Sequence, residues 1–273
     1  MIDSKKLLKE YGLTANKALG QNFLVDENAL TAIIELSCCE GMNVLEIGPG
    51  LGVLTNELIQ RAEKVVCVEI DERMCELLSR TLAGAQDLRI INRDILKVKN
   101  AELGEMLGTG SVVCANLPYY ITSDTAIKLI DSELSIKRMV LMMQTEAAEH
   151  FLAKPKQKCY TSVSVIAQQY YEISEELKLS PSSYYPEPSV HSSVLLFRRK
   201  SQAYDPEFSG LVRTAFSMRR KTLRNNLSAL YGKETAPAII ENAGLSPSCR
   251  AEELCCADFM RLLDSARKFD AEE

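Results

Sequence analysis

Val44-Leu45-Glu46-Ile47-Gly48-Pro49-Gly50-Leu51-Gly52 is the stretch on which the fold turns. A short β-branched and apolar run goes straight into three glycines at alternate positions, and Leu51 to Arg61 then follows with helical periodicity. Strand, tight turn and helix in that order form the first crossover of a doubly wound α/β sheet, where a ligand meets the backbone. Gly48 and Gly50 suit a loop that must turn sharply and leave no Cβ between backbone and ligand. The dinucleotide fingerprint needs glycine at its last position, but Val53 stands there, so the spacing is G-x-G-x-G. That disfavours a nicotinamide dehydrogenase, the rival on fold alone.

Outward from this turn, strands and helices alternate. Lys64 to Ile70, Leu88 to Ile91, Ser111 to Cys114, Arg138 to Met143 and Val194 to Phe197 read as strands. Asn28 to Leu36, Glu72 to Leu82 and Ser123 to Leu129 read as helices. Such alternation predicts a mostly parallel sheet with helices on both faces. The Pro-rich segment Pro181 to Pro188 interrupts it. Beyond residue 200 everything reads as helix: Pro206 to Leu230, Ala236 to Ala243 and Ala251 to Lys268. The expected division is a catalytic domain over 1–200 and a small helical domain over 201–273.

Composition narrows the function classes. The chain has 273 residues, 46% of them hydrophobic, which supports one large core plus an appendage. No stretch is apolar for long enough to span a bilayer, and no apolar segment follows the charged N-terminus as a signal peptide requires. Nine cysteines are scattered without a C-x-x-C pair, and only His150 and His191 could join them, so reduced cytoplasmic thiols fit better than a metal site. The net charge of −5 is awkward for a nucleic-acid enzyme. The basic residues cluster locally instead, at Arg198-Arg199-Lys200 and Arg219-Arg220-Lys221 with Arg224 behind.

Polar residues stand at the carboxyl ends of three consecutive strands, and Glu46, before the glycine loop, is the first of them. Glu69 closes the second, 17 residues after Gly52, where an acid can accept both hydroxyls of a ribose. Asp94 follows the third, placed to meet an adenine edge. Each could instead be a helix N-cap. Together with the glycine loop they suit an adenosyl ligand lying across the sheet.

The fourth strand ends in Asn116-Leu117-Pro118-Tyr119-Tyr120, which could be an ordinary turn. Chemistry offers a sharper reading. The lone pair of an adenine's exocyclic amine is delocalised into the ring, so the amine is a poor nucleophile. Two carbonyls that accept its hydrogens favour a pyramidal nitrogen, and so favour the transition state over the flat ground state. Asn116 Oδ1 and the Leu117 carbonyl are the natural pair, Pro118 stiffens the loop, and Tyr119 stacks on an unstacked base.

These motifs, with Gln21-Asn22-Phe23-Leu24 and Arg219 to Leu227, resemble the ribosomal RNA adenine dimethyltransferase family over nearly the whole chain. The resemblance implies S-adenosylmethionine as cofactor, contacted by Asn22, Leu24, Gly48, Glu69, Asp94 and Asn116. It implies that Tyr119 and Tyr184 sandwich the target base. It further implies dimethylation of two adjacent adenines near the 3′ end of small-subunit rRNA, in an immature subunit, by a cytoplasmic monomer. The sequence departs from the family pattern at Arg93, Thr145, Tyr184, Ser189 and His191; several of these changes remove positive charge and none removes a catalytic group. Rival readings are a large-subunit enzyme of the macrolide-resistance type and an assembly factor that clamps subunits without turnover.

Two expectations concern RNA. On a continuous helix over Arg213 to Leu230, Phe216, Leu223, Leu227 and Leu230 face the core while Arg213, Arg220 and Arg224 form a stripe. That stripe is either a phosphate-contacting ridge, with Arg220 and Arg224 on substrate, or a snorkelling flank of an amphipathic helix. The N-terminal segment 1–24 is expected over the active site, with Lys5 to Phe23 becoming ordered as ligands bind.

Overall fold

The computed structural model describes residues 2–271. It contains nine strands among those residues, numbered here in chain order: β1 Phe23–Leu24, β2 Asn43–Ile47, β3 Lys64–Glu69, β4 Leu88–Asn92, β5 Ser111–Asn116, β6 Ile136–Gln144, β7 Tyr171–Leu179, β8 Tyr184–Tyr185 and β9 Ser192–Arg199. Seven of them form one sheet in the order β4-β3-β2-β5-β6-β9-β7, and β1 pairs with β8 as a separate two-stranded ribbon. Strands β4, β3, β2, β5 and β6 are parallel, whereas β9 runs antiparallel to β6.

Why these residues form this sheet follows from burial on both faces. A parallel strand covered by helices on each side reads as an apolar run without alternation. Val65 to Val68, Val112 to Ala115 and Met139 to Met143 are such runs, and all are buried. Strand order reverses between β2 and β5, because the chain winds outward through β3 and β4 and then returns. A crevice opens at the carboxyl ends of strands flanking such a switch, and ligands of open α/β sheets bind there.

By contacts the chain divides into two units. One holds the chain up to Leu129 together with Glu133–Ala148 and Glu172–Arg199; it carries the sheet. The other holds Ile130–Ser132, Glu149–Tyr171 and the chain from Lys200 onward. The helical unit thus takes Glu149–Tyr171, which a division at residue 200 assigns to the catalytic part.

Within the helical unit, the expected continuous helix over Pro206 to Leu230 is two helices, Pro206–Ala215 and Leu223–Tyr231. Tertiary hydrogen bonds break it. The buried Asn226 side chain donates to the carbonyls of Ala215 (2.5 Å) and Met218 (3.2 Å), and Thr222 caps the second helix by accepting from Asn225 N. Arg219 is held by the Glu252 carboxylate (3.0 Å) and the Lys158 carbonyl (2.6 Å). The single wheel over Arg213 to Leu230 is therefore wrong: Leu223 and Leu227 are buried, but Leu230 is 52% exposed. Likewise Ala251 to Lys268 begins as one 3-10 turn, Ala251–Glu253, before the helix Cys256–Asp270.

At the other end of the chain, Ser4–Glu10 is helical, capped by the Asp3 carboxylate on Lys6 N. Leu8 is buried among Phe23, Leu51, Met74 and Leu77. The segment expected to order only on binding thus has its own packed anchor.

Candidate active site

The cleft at the β2–β5 switch opens about 710 Å³, counting space continuous with solvent, between the glycine turn, the carboxyl end of β5 and the strap Leu19 to Leu24. Glu46, Gly48, Gly50, Glu69, Asn116, Pro118 and Tyr119 all line it. A second lobe of about 330 Å³ shares Gly48, Glu69, Ile70 and Pro118 with the first and adds Asp94, Ile95 and Tyr120. Every expected cofactor contact therefore lies on one of two adjoining lobes, Asn22 and Leu24 included.

The glycine turn has a specific steric cause. Gly50 has φ +54, and a Cβ there would come within 2.9 Å of the Phe23 ring. Gly52 has φ +80, and a Cβ there would meet Leu78 at 2.6 Å. The turn must therefore fit beneath the strap aromatic on one side and against the helix Glu72–Thr81 on the other.

Glu69 ends β3 with its carboxylate buried. One oxygen accepts from Gly50 N (3.1 Å) and the other from Asp71 N (2.9 Å). Burial raises its pKa above the usual carboxylate value, against the lowering effect of these backbone donors. Each oxygen keeps further acceptor capacity for a hydroxyl. Glu69 is not a helix cap: Asp71 caps the following helix, accepting from Arg73 N. Asp94 does serve as a cap, taking Leu96 N (2.9 Å), while facing the second lobe. Glu46, on β2, is only 1% exposed. Burial pushes its carboxyl up to about 7, and the groups acting on it most strongly, Thr55, Cys67 and Glu69, include no cation.

Asn116 is the best-defined catalytic candidate. Its Nδ2 donates to the Asn22 carbonyl at 2.8 Å. The opposite amide orientation would set Oδ1 against a carbonyl oxygen, so the donor assignment is fixed by chemistry and Oδ1 is left to accept. Leu117 is anchored behind it through its N–H on the Met142 carbonyl (3.0 Å). Thr122 Oγ1 donates to the Pro118 carbonyl (3.0 Å), which closes the turn. Tyr119 stands half-buried at the cleft, its hydroxyl 3.2 Å from Ser192 Oγ.

The comparisons with known proteins bear on this geometry. Residues 12–268 match the family described as ribosomal RNA adenine dimethylase. The chain belongs to that family. It is 39% identical to a ribosomal RNA small subunit methyltransferase A of Ligilactobacillus salivarius, over 97% of this chain and 94% of that one. A namesake in Geobacillus thermodenitrificans is also 39% identical, over 95% and 93%. Among solved structures, a dimethyladenosine transferase from Plasmodium falciparum superposes with TM-score 0.76 at 27% identity, over 90% of this chain and 98% of that one. The 23S rRNA methyltransferase ErmE shares the fold at TM-score 0.67 and 23% identity, over 89% and 99%. As a member of the adenine dimethylase family, the chain is an rRNA methyltransferase whose methyl donor is S-adenosylmethionine. The cleft has the features such a cofactor needs: the buried acid Glu69, glycines at the turn, an adjoining lobe lined by Ile70, Ile95 and Tyr120, and the carboxylates Glu46 and Asp94 along its walls.

Two expected substrate contacts are placed differently from the sequence reading. Tyr184 is 2% exposed, pairs with Leu24 across the β1–β8 ribbon, and packs in the core. So placed, its ring offers no free face to a base. Arg220 lies in the turn between two helices and not on a helical stripe with Arg224, although both side chains are exposed. Arg213 pairs with Asp131 instead of standing free.

Phe23 and Tyr120 stood in the quoted motifs without a role of their own, and Ile70 and Ile95 were not singled out, yet all four line the lobes. Ile70 carried a usable signal: a large apolar residue directly after the strand-ending acid, 45% exposed once the strand has stopped.

Proposed function

We propose that this chain dimethylates the exocyclic amines of two adjacent adenines near the 3′ end of small-subunit rRNA, acting as a cytoplasmic monomer on an immature subunit. The observation that carries the catalytic reading is the Asn116–Asn22 hydrogen bond, which leaves Asn116 Oδ1 as an acceptor at the end of β5 beside the cofactor cleft.

Asn22, Leu24, Gly48, Gly50, Glu69, Asp94 and Asn116 hold the cofactor. When bound, S-adenosylmethionine supplies a methyl group made electrophilic by its sulfonium. Asn116 Oδ1 and the Leu117 carbonyl accept the two amine hydrogens and draw the nitrogen toward a pyramidal geometry. Tyr119 gives the base a stacking face. The alkylated amine is acidic enough to release its extra proton to water, so no side chain has to act as general base. Arg220, Lys221 and Arg224 are exposed and available for phosphates, which offsets the overall net charge of −5 locally.

The small-subunit reading is supported by relatives of that name at 39% identity, against 23% for the large-subunit enzyme. Among the described residues no helix is long and apolar enough to cross a membrane. The test is methylation of unmethylated small subunits, particles at successive assembly stages, and free large subunits with labelled cofactor, followed by mapping of the modified bases. Two adjacent dimethyladenines in the small-subunit rRNA are expected. Label in the large subunit alone would overturn the assignment.

A further inference from the structure

Gln21 has no part in the function described so far, although it begins the strap motif. Both ends of its side-chain amide are engaged. Nε2 donates to Asp71 Oδ2 at 2.9 Å, and Oε1 accepts from Asn16 N at 2.8 Å. Both contacts reach out of the strap, one of them to the first residues after β3.

Asp71 is itself rigidly held. It is 7% exposed, and its carboxylate takes Arg73 Nε (2.9 Å) and Nη2 (2.6 Å). The Arg73 guanidinium beside it, more than any other group, keeps its carboxyl below the usual range. Its backbone N–H donates to Glu69 Oε1, on the acid proposed to meet the ribose. On the far side of Gln21, the next residue's carbonyl receives Asn116 Nδ2, and the Asn22 side chain donates to the Gly20 carbonyl at 3.1 Å. Three hydrogen bonds, joined by the peptide bond between Gln21 and Asn22, therefore link Glu69, Asp71, Gln21, Asn22 and Asn116, from the ribose acid to the amine acceptor.

We infer that Gln21 is a positioning residue for methyl transfer: by tying the strap to Asp71, it sets the Asn22 carbonyl that fixes the amide plane of Asn116. This inference rests on the proposed catalytic role of Asn116. From Gly20 to Asn22 the strap has no helix or strand; backbone bonds from Gly20 N to the Lys17 carbonyl and from Gln21 N to the Asn16 carbonyl hold it to the preceding turn, and the Gln21–Asp71 bond ties it to the segment after β3. A loosened strap lets the Asn116 amide rotate. Oδ1 then loses its fixed aim at the amine, and small misplacements of a catalytic group are costly.

Gln21→Glu tests this, because it preserves size and the acceptor for Asn16 N while turning the donor toward Asp71 into a second acceptor. The reversed pair, Gln21→Glu with Asp71→Asn, restores one donor and one acceptor and keeps a good helix cap; it is made together with Arg73→Ala, because Arg73 Nη2 also donates to Oδ2, the atom that becomes an amide nitrogen. Single-turnover methyl transfer to unmethylated small subunits, with saturating S-adenosylmethionine and enzyme in saturating excess over subunit, is measured for parent, Gln21→Glu, the reversed pair, Asn116→Ala, and Gln21→Glu in the Asn116→Ala background. Melting temperatures are recorded alongside.

Gln21→Glu should slow the saturated rate by about 10- to 100-fold, so the loss appears in the rate constant at saturation and not only in the enzyme concentration needed to reach it. The reversed pair should recover most of it. In the Asn116→Ala background the same change should cost about twofold or less, since residues acting through one another are not additive. Equal losses in both backgrounds, or an unchanged rate in folded Gln21→Glu, would overturn the inference while leaving the role of Asn116 intact. If the reversed pair regains melting temperature but not rate, the tie is merely structural and the inference fails. Asn116→Ala at the parent rate would instead refute the catalytic reading on which this one stands.

Discussion

Glu46 should make the parent protein less stable as pH rises, and Glu46→Gln should abolish that loss. The carboxyl is 1% exposed, and burial pushes it up to about 7 from an ordinary 4.5. Because the folded pKa is raised, the folded state binds the proton more tightly than the unfolded chain between those two values. Stability then falls as pH climbs through the window, and the full penalty is present above pH 7. The difference between the folded and unfolded carboxyl corresponds to about 3 kcal/mol in total, of which about 2 kcal/mol falls between pH 5.5 and 8.5. Glutamine has the same shape and cannot ionise, and its amide stays beside Thr55 and Cys67, the polar side chains that face the carboxyl. Urea midpoints of both proteins, followed by circular dichroism from pH 5.5 to 8.5 without cofactor, measure the difference. The variant should gain about 2 kcal/mol on the parent across that range. Parallel profiles would show that Glu46 does not titrate there, and the reasoning would fail. The gain should be offset in function, because Glu46 lines the cofactor cleft and its negative charge is lost.

Two further outcomes follow from the site. Glu69→Ala removes the acceptor proposed for the ribose hydroxyls, and calorimetry should show S-adenosylmethionine binding weakened by about one to two orders of magnitude; unchanged affinity in a folded variant would remove Glu69 from the cofactor site. Arg220→Ala with Arg224→Ala should weaken subunit binding and flatten its salt dependence by about two units of slope at most, with cofactor affinity unchanged. An unaltered slope would make both arginines ordinary solvated charges.

The central sheet and the glycine-turn side of the cleft were legible in the sequence because the central strands carry long apolar runs. In β3 and β5 these run unbroken to a polar end, at Glu69 and Asn116, and Asp94 lies two residues beyond the end of β4. Where a strand lies at the sheet edge the signal fades. Strand β7, Tyr-Glu-Ile-Ser-Glu-Glu-Leu-Lys-Leu, is mostly polar because it is only partly covered, and β1 and β8 are too short for any period. The break in Pro206 to Leu230 was hidden because its cause is Asn226 folding back onto Ala215 and Met218, a tertiary bond that periodicity does not contain. Tyr184 was misjudged for a related reason. An aromatic beside prolines suits a stacking platform, but which face of a two-residue strand is buried depends on its pairing with Leu24. Gln21 was visible as a residue and invisible as a link, since Asp71 lies 50 positions away.

The most direct test of the account is the rate of methyl transfer by Asn116→Ala under single-turnover conditions, with unmethylated small subunits and saturating S-adenosylmethionine. The variant loses the acceptor at Oδ1 while Tyr119 and the exposed arginines remain. The account predicts a fall of roughly two to three orders of magnitude, comparable to removing one preorganised polar group that acts on the transition state, with subunit affinity little changed. A variant that transfers methyl groups within a few-fold of the parent rate would contradict it.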